Sequence, residues 1–139
     1  MKATNSFAPS AKSNTPSFSM AITAPSMQQL MMKSLRNERS VARLTSTLIS
    51  AVNASEQLKA CEPSTIVAAA LRGEGMGLIY GHGYYVVPYG TTATYLLSYK
   101  GYIQLAMSTG FYADIDCVEI REGEIEGRDR RTGKPIVNL

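Results

Sequence analysis

The sequence predicts an α+β fold: N-terminal helices followed by a β-hairpin, a further helix and a further strand. Three observations carry that expectation. Apolar residues recur at helical spacing between Ser26 and Leu71, an aromatic and β-branched run begins near Gly81, and glycines punctuate the change between the two. At 139 residues and 45% hydrophobic content, the chain can bury a core of its own. The longest apolar stretches, such as Ile66 to Leu71, fall far short of the roughly 18 residues of a membrane span, so no membrane partner is expected.

Residues 1–25 are rich in Ser, Thr, Ala and Pro, contain no acid and show no period, which predicts a disordered tail. From Ser26 to Leu139 one domain is expected. Met27, Leu30, Met31 and Leu35 mark a short amphipathic docking helix with an adaptable methionine surface. Asn37 reads as an N-cap, with Glu38 favoured in the first turn by the helix dipole. Val41, Leu44, Leu48, Ile49 and Val52 give that helix its apolar face, and it runs from about Glu38 to Val52. Arg39 and Arg43 fall on its solvated side.

Pro63 suits the first turn of a third helix, buried through Ile66, Val67, Ala70 and Leu71. Gly73, Gly75 and Gly77 are expected to end it. This Gly-x-Gly-x-Gly follows a helix rather than a strand, the wrong context for dinucleotide binding. Gly81 to Gly90 reads as a strand, with Pro88 confining it to an edge or an end. Gly90 to Ala93 turn the chain into a second arm at Thr94 to Tyr99. Lys100 to Thr109 form a helix closed by Gly110, with Tyr102, Ile103, Ala106 and Met107 as its apolar face. Tyr112 to Glu122 alternate as a strand, Ile115 and Cys117 on one side and Asp116, Val118 and Ile120 on the other.

The net charge of +3 is too small to argue for any partner by itself. Its distribution says more. Residues 1 to 112 hold nine basic and four acidic groups, and residues 113 to 139 hold five and seven. Cys61 and Cys117 lack metal-ligand spacing and read as reduced, partly buried thiols of a cytoplasmic protein. His82 is the single histidine, so a zinc site or a Cys-His hydrolase would have to be built on one imidazole. An acid–base pair of His82 with Asp114 or Asp116 is the enzymatic rival, but no nucleophile motif accompanies it.

Three ordered motifs resemble one family. They are Ala69-Ala70-Leu71-Arg72-Gly73-Glu74-Gly75-Met76-Gly77-Leu78, then Tyr85-Val86-Val87-Pro88-Tyr89-Gly90, then Ser98-Tyr99-Lys100-Gly101-Tyr102-Ile103-Gln104-Leu105-Ala106, continuing through Gly110 to Glu124. Together with Pro25-Ser26-Met27 they resemble the RecT single-stranded DNA annealing proteins of phage recombination over about residues 25 to 126. The resemblance implies a binding protein rather than an enzyme, one that anneals complementary DNA strands without ATP. It also implies a core similar to the β-β-β-α fold of strand-annealing proteins, assembly into homo-oligomeric rings or filaments, and a partner exonuclease. No cofactor is expected. Some family members respond to magnesium, and this sequence shows no metal cage. The sequence departs from the family pattern in three ways. Gly77-Leu78-Ile79-Tyr80 lacks the usual proline, Ser108 stands where an arginine is common, and family members normally continue past this point, so the domain is expected to be incomplete at its C-terminus.

Holding a single strand requires cations for phosphates and rings for bases. Lys100, flanked by Tyr99 and Tyr102 at a strand-to-helix junction, is the first candidate. Arg72 and Arg121 are secondary candidates. Arg128, Arg130 and Arg131 suit a hairpin tip that touches DNA. The bland readings are core packing for Tyr99 and Tyr102, an ion pair of Arg121 with Glu119 or Glu122, and a solvated turn around Asp129 and Gly133. The rival function is a self-assembling structural module of phage origin that uses Met27 to Leu35.

Overall fold

The computed structural model describes residues 17–115, 117 and 119–137 and is α+β, helices first. The chain divides into two compact units that meet in sequence between Gln104 and Leu105. The first helix, α1 (Phe18–Thr23), lies inside the segment expected to be a tail, and its Ile22 is fully buried. Six residues with one buried anchor show no period. Tertiary burial, not local pattern, fixes this turn of helix.

Pro25 then starts α2 (Pro25–Leu35), where its missing N–H costs nothing. Gln28 Nε2 donates to the Ile22 carbonyl at 2.8 Å and to Thr45 Oγ1 at 3.3 Å, tying three helices together. Met31 is the fully buried member of the expected docking face, while Leu30 is half exposed. Asn37 caps α3 (Glu38–Ala54) as expected, accepting from the backbone N–H groups of Arg39 and Ser40. Val41, Leu44, Leu48 and Val52 form its buried stripe. A short α4 (Glu56–Lys59), capped by Ser55, was not legible as a helix and buries Leu58.

α5 (Pro63–Gly75) packs on α2 and on the hairpin that follows. Its buried residues are Ile66, Val67, Ala69, Ala70 and Gly73. Gly73 therefore does not end the helix. It leaves space for the Tyr84 ring, because a Cβ there would lie 2.5 Å from Tyr84 Cγ and Cε1. Gly77, at φ 74°, takes the left-handed turn that follows the helix.

The hairpin joins β1 (Tyr84–Tyr89) to β2 (Thr92–Leu97) in antiparallel register, with Tyr85 opposite Leu96 and Pro88 opposite Ala93. Ala93 N–H points away from β1 and donates to Thr65 Oγ1 on α5 at 3.0 Å. The Pro88–Ala93 pair is thus a non-hydrogen-bonded one, and proline costs the ladder nothing there. Tyr84, Val86 and Ala93 form the buried side against α5. Cys61 is buried beside the turn, its thiol donating to the Gly90 carbonyl at 3.7 Å.

Helix α6 (Tyr99–Ser108) matches the expected span, and Gly110 follows it at φ 73°. Its expected apolar face is not buried. Tyr102 is 64% exposed, Ile103 and Met107 are exposed as well, and Gly101 is the buried residue.

The second unit, residues 105 to 139, corrects the expected strand at Tyr112–Glu122: its described residues lie in no strand, and Asp116 and Val118 fall outside them. Alternation alone does not make a strand without a partner to pair with. Pairing begins later, in β3 (Ile125–Arg128) and β4 (Pro135–Val137), antiparallel with an irregularity between Ile125 and Gly127. Cys117 is exposed rather than partly buried.

Candidate nucleic-acid interface

The junction between β2 and α6 is built by Ser98. Its backbone N–H donates to the Gly83 carbonyl at 3.1 Å, and its hydroxyl donates to the His82 carbonyl and accepts from Gly101 N–H. That last bond is an N-cap, which satisfies one of the orphan donors of α6. Gly101 rests directly on the Gly83 carbonyl, where any Cβ would collide with that oxygen and lie 2.7 Å from Leu97 Cδ1. The first turn of α6 is therefore locked to the base of the hairpin.

Held this way, Tyr99 and Tyr102 face solvent at 70% and 64% exposure, so core packing does not account for them. Lys100 Nζ sits 5.9 Å from the centre of the Tyr99 ring. Among the described residues, no carboxylate forms an ion pair with Lys100. Lys100, Gln104 and Ser108 share a helical stripe, but the latter two are engaged locally. Gln104 Nε2 donates to the Gly77 carbonyl, and the Ser108 hydroxyl donates to the Leu105 carbonyl.

Arg72 leaves α5 and lies over the Tyr95 ring, 5.3 Å from its centre. Tyr95 stacks in turn on Tyr84 at 5.6 Å, and Tyr80 meets Tyr84 edge-on. The guanidinium is thus oriented by an aromatic face rather than by an acid. Beneath this cluster, Glu74 is nearly buried and accepts from Arg43 at 2.6 Å and from the Tyr84 hydroxyl at 3.2 Å. Arg43, read as a solvated residue, pairs the charge of Glu74. Burial first, then the Glu74 carboxylate, push the Tyr84 phenol well above its ordinary value, while Arg43 pulls the other way.

The other four candidates belong to the second unit. Arg128, Arg130 and Arg131 are exposed on the β3–β4 hairpin, as expected of a tip. Asp129 shapes the turn: its carboxylate accepts from the N–H groups of Arg131 and Thr132, at 2.7 and 3.2 Å, and those bonds hold its pKa below the usual range. Arg121 makes no ion pair with Glu119 or Glu122 among the described residues. Its backbone N–H donates to Glu124. Asp114 pairs with Lys134, which depresses its pKa, and Asp116 lies outside the described residues. Neither carboxylate is thereby shown as a partner for His82. No three His, Cys, Asp or Glu side chains gather into a metal site among the described residues, and none of the described helices is long and apolar enough to cross a membrane.

A family model described as the RecT family matches residues 42–139, most of the chain. The chain belongs to the RecT family. It is also similar to the uncharacterized protein YqaK of Bacillus subtilis (strain 168), 37% identical over 87 residues that make up 60% of this chain and 31% of that protein. The chain thus spans about a third of the length of this curated relative.

Within this RecT-family chain, three site features escaped the sequence reading. The cap at Ser98 was hidden because Ser98 and Tyr99 read as strand, although a Ser three residues before a buried Gly101 is an N-cap signal. Gly101 was read as an ordinary helix position, and only the carbonyl of Gly83 shows why it is glycine. The ion pair from Arg43 to Glu74 crosses between helices, and no local pattern announces it.

Proposed function

We propose that this RecT-family chain binds single-stranded DNA and anneals complementary strands in recombination, as a binding protein and not an enzyme. The observation that supports it most is Lys100, carried on a capped helix start between the exposed rings of Tyr99 and Tyr102 and without a carboxylate partner among the described residues. A lysine so placed meets a phosphate as a point charge, and the neighbouring rings offer π faces to bases. Arg72 adds a guanidinium on the same unit. On the second unit, described by itself, Arg121, Arg128, Arg130 and Arg131 are a separate set of cations that can attract phosphates. Such a site holds the backbone and leaves the pairing edges of the bases free, which is what annealing needs and what no bond-making chemistry is required for. In this reading the chain acts in the bacterial cytoplasm, as part of a ring or filament, on strands exposed by a partner exonuclease.

Fluorescence polarisation with a labelled oligonucleotide, followed by addition of its complement, tests the proposal. Salt-sensitive, sequence-tolerant binding and faster pairing are expected. Self-association with no oligonucleotide binding would favour the structural-module reading, which has its own support in Met20 and Leu30, 66% and 50% exposed on α1 and α2.

A further inference from the structure

We infer that the outward face of the β1–β2 hairpin is a base-stacking surface for single-stranded nucleic acid, with Tyr85 and Tyr89 as its rings. The inference rests on the single-strand binding proposed above and assigns it a second surface beyond Lys100. Alternation along β1 sends Tyr84 and Val86 into the core and Tyr85, Val87 and Tyr89 to the other side. The register completes that side with Leu96, Thr94 and Thr92. Tyr85, Tyr89 and Leu96 are 43%, 70% and 54% exposed, whereas Tyr84, Val86 and Ala93 on the opposite side of the same two strands are buried. Large apolar groups gathered on one exposed face mark a contact surface. Tyr85 and Tyr89, four residues apart, stand about 13 Å from each other along the strand. Their cross-strand neighbours, Leu96 and Thr92, carry no charge.

The charge pattern selects the occupant. From Gly75 to Ala113 the chain contains no Asp or Glu, and all eight of its tyrosines lie between Tyr80 and Tyr112. Lys100 is the single Lys or Arg in that stretch. The hairpin strands themselves thus carry no carboxylate to repel a polyanion, and rings are concentrated where bases need π faces. Phosphate attraction is not the main force on the hairpin itself, since it carries no cation. Stacking, which needs unpaired bases, is what its face offers.

The test uses the full chain, a labelled oligothymidylate, and a strand of equal length with abasic sites. The variants are Y85S/Y89S and Y85F/Y89F, with circular dichroism as the check on folding. Loss of each ring should weaken oligothymidylate binding about five-fold or more. The slope of log affinity against log salt should stay as in the parent chain, because no phosphate contact is lost. The abasic strand should not register the serine changes, and the phenylalanine variant should bind like the parent. Equal oligothymidylate binding by Y85S/Y89S and the parent overturns the inference while leaving the Lys100 site standing. So does an equal loss on the abasic strand, or a loss that light scattering traces to a changed oligomer. A parent chain that binds neither strand removes single-strand binding and this surface together.

Discussion

The ring of Tyr84 lies flat against Gly73, so close that even a methyl group on that glycine would overlap it. In an exposed helix, replacing glycine by alanine stabilises by about 1 kcal/mol. Here the added carbon meets a fully buried ring on a packed hairpin, and overpacking costs about 1–3 kcal/mol. Gly73→Ala should therefore lower stability despite its better helix propensity. Urea unfolding of the two proteins gives the sign directly.

The same tyrosine sets an alkaline limit. Burial and Glu74 raise its pKa in the folded state above the unfolded value of about 10. A raised acid contributes stability that is complete below the unfolded pKa and is lost as pH rises toward the folded one. Unfolding free energy should begin to fall as pH rises through about 10 and should keep falling above it, and Tyr84→Phe should flatten that fall. The phenol absorbance of Tyr84 should appear last in an alkaline titration, together with loss of helical dichroism.

Arg43 is expected to matter for stability rather than for binding. Removing it leaves the nearly buried Glu74 carboxylate, among the described residues, with the Tyr84 hydroxyl as its remaining side-chain partner. Because Arg43 is itself half exposed, Arg43→Ala should cost about 1–3 kcal/mol, less than breaking a fully buried pair. A double-mutant cycle with Glu74→Gln should show strong coupling. Additive effects would mean that the pair contributes nothing.

Lys100→Ala should weaken oligonucleotide binding and also lower the salt slope by about 0.7, the signature of one lost phosphate on a single strand. Its circular dichroism should not change, since Lys100 makes no ion pair among the described residues. Gly101→Ala, by contrast, should disturb the junction itself, because the Gly83 carbonyl occupies the place of the new carbon.

Asp129 ties the β3–β4 turn to the protonation state of one carboxyl. Two backbone N–H groups depress its pKa, so its contribution is present above the ordinary value near 4 and is lost as pH falls below it. The protection of the Arg131 and Thr132 amides, measured by nuclear magnetic resonance as exchange relative to the intrinsic rate at each pH, should fall in that acid range. Asp129→Asn, which keeps an acceptor oxygen but no charge, should remove most of the pH dependence.

Long, periodic elements were legible in the sequence, and their reasons are local. Asn37 with Glu38 announces α3, Pro63 announces α5, and the Tyr85–Gly90 run with its glycine announces the hairpin. What the sequence hid is non-local. Ile22 helps fix α1 only because other helices bury it. The alternation at Tyr112–Glu122 is a strand signal that finds no partner among its described residues. Tyr102 and Ile103 have helical spacing, and spacing does not say whether a face meets a core or solvent. For the candidate site, residue types named Lys100 between Tyr99 and Tyr102, and all three are exposed, while the cap and glycine contact at that junction depend on the carbonyls of His82 and Gly83, fifteen or more positions away.

The burial of Ile22 bears on where this protein can be trimmed. The family model's match begins at residue 42, yet Ile22 and Met31, both fully buried, plug the helical core ahead of that point. A truncation drawn to the likeness alone would open a hydrophobic hole beside α3 and α5 and uncover sticky surface. Tags and fusions are better joined upstream of Ser17, where they leave that plug in its socket.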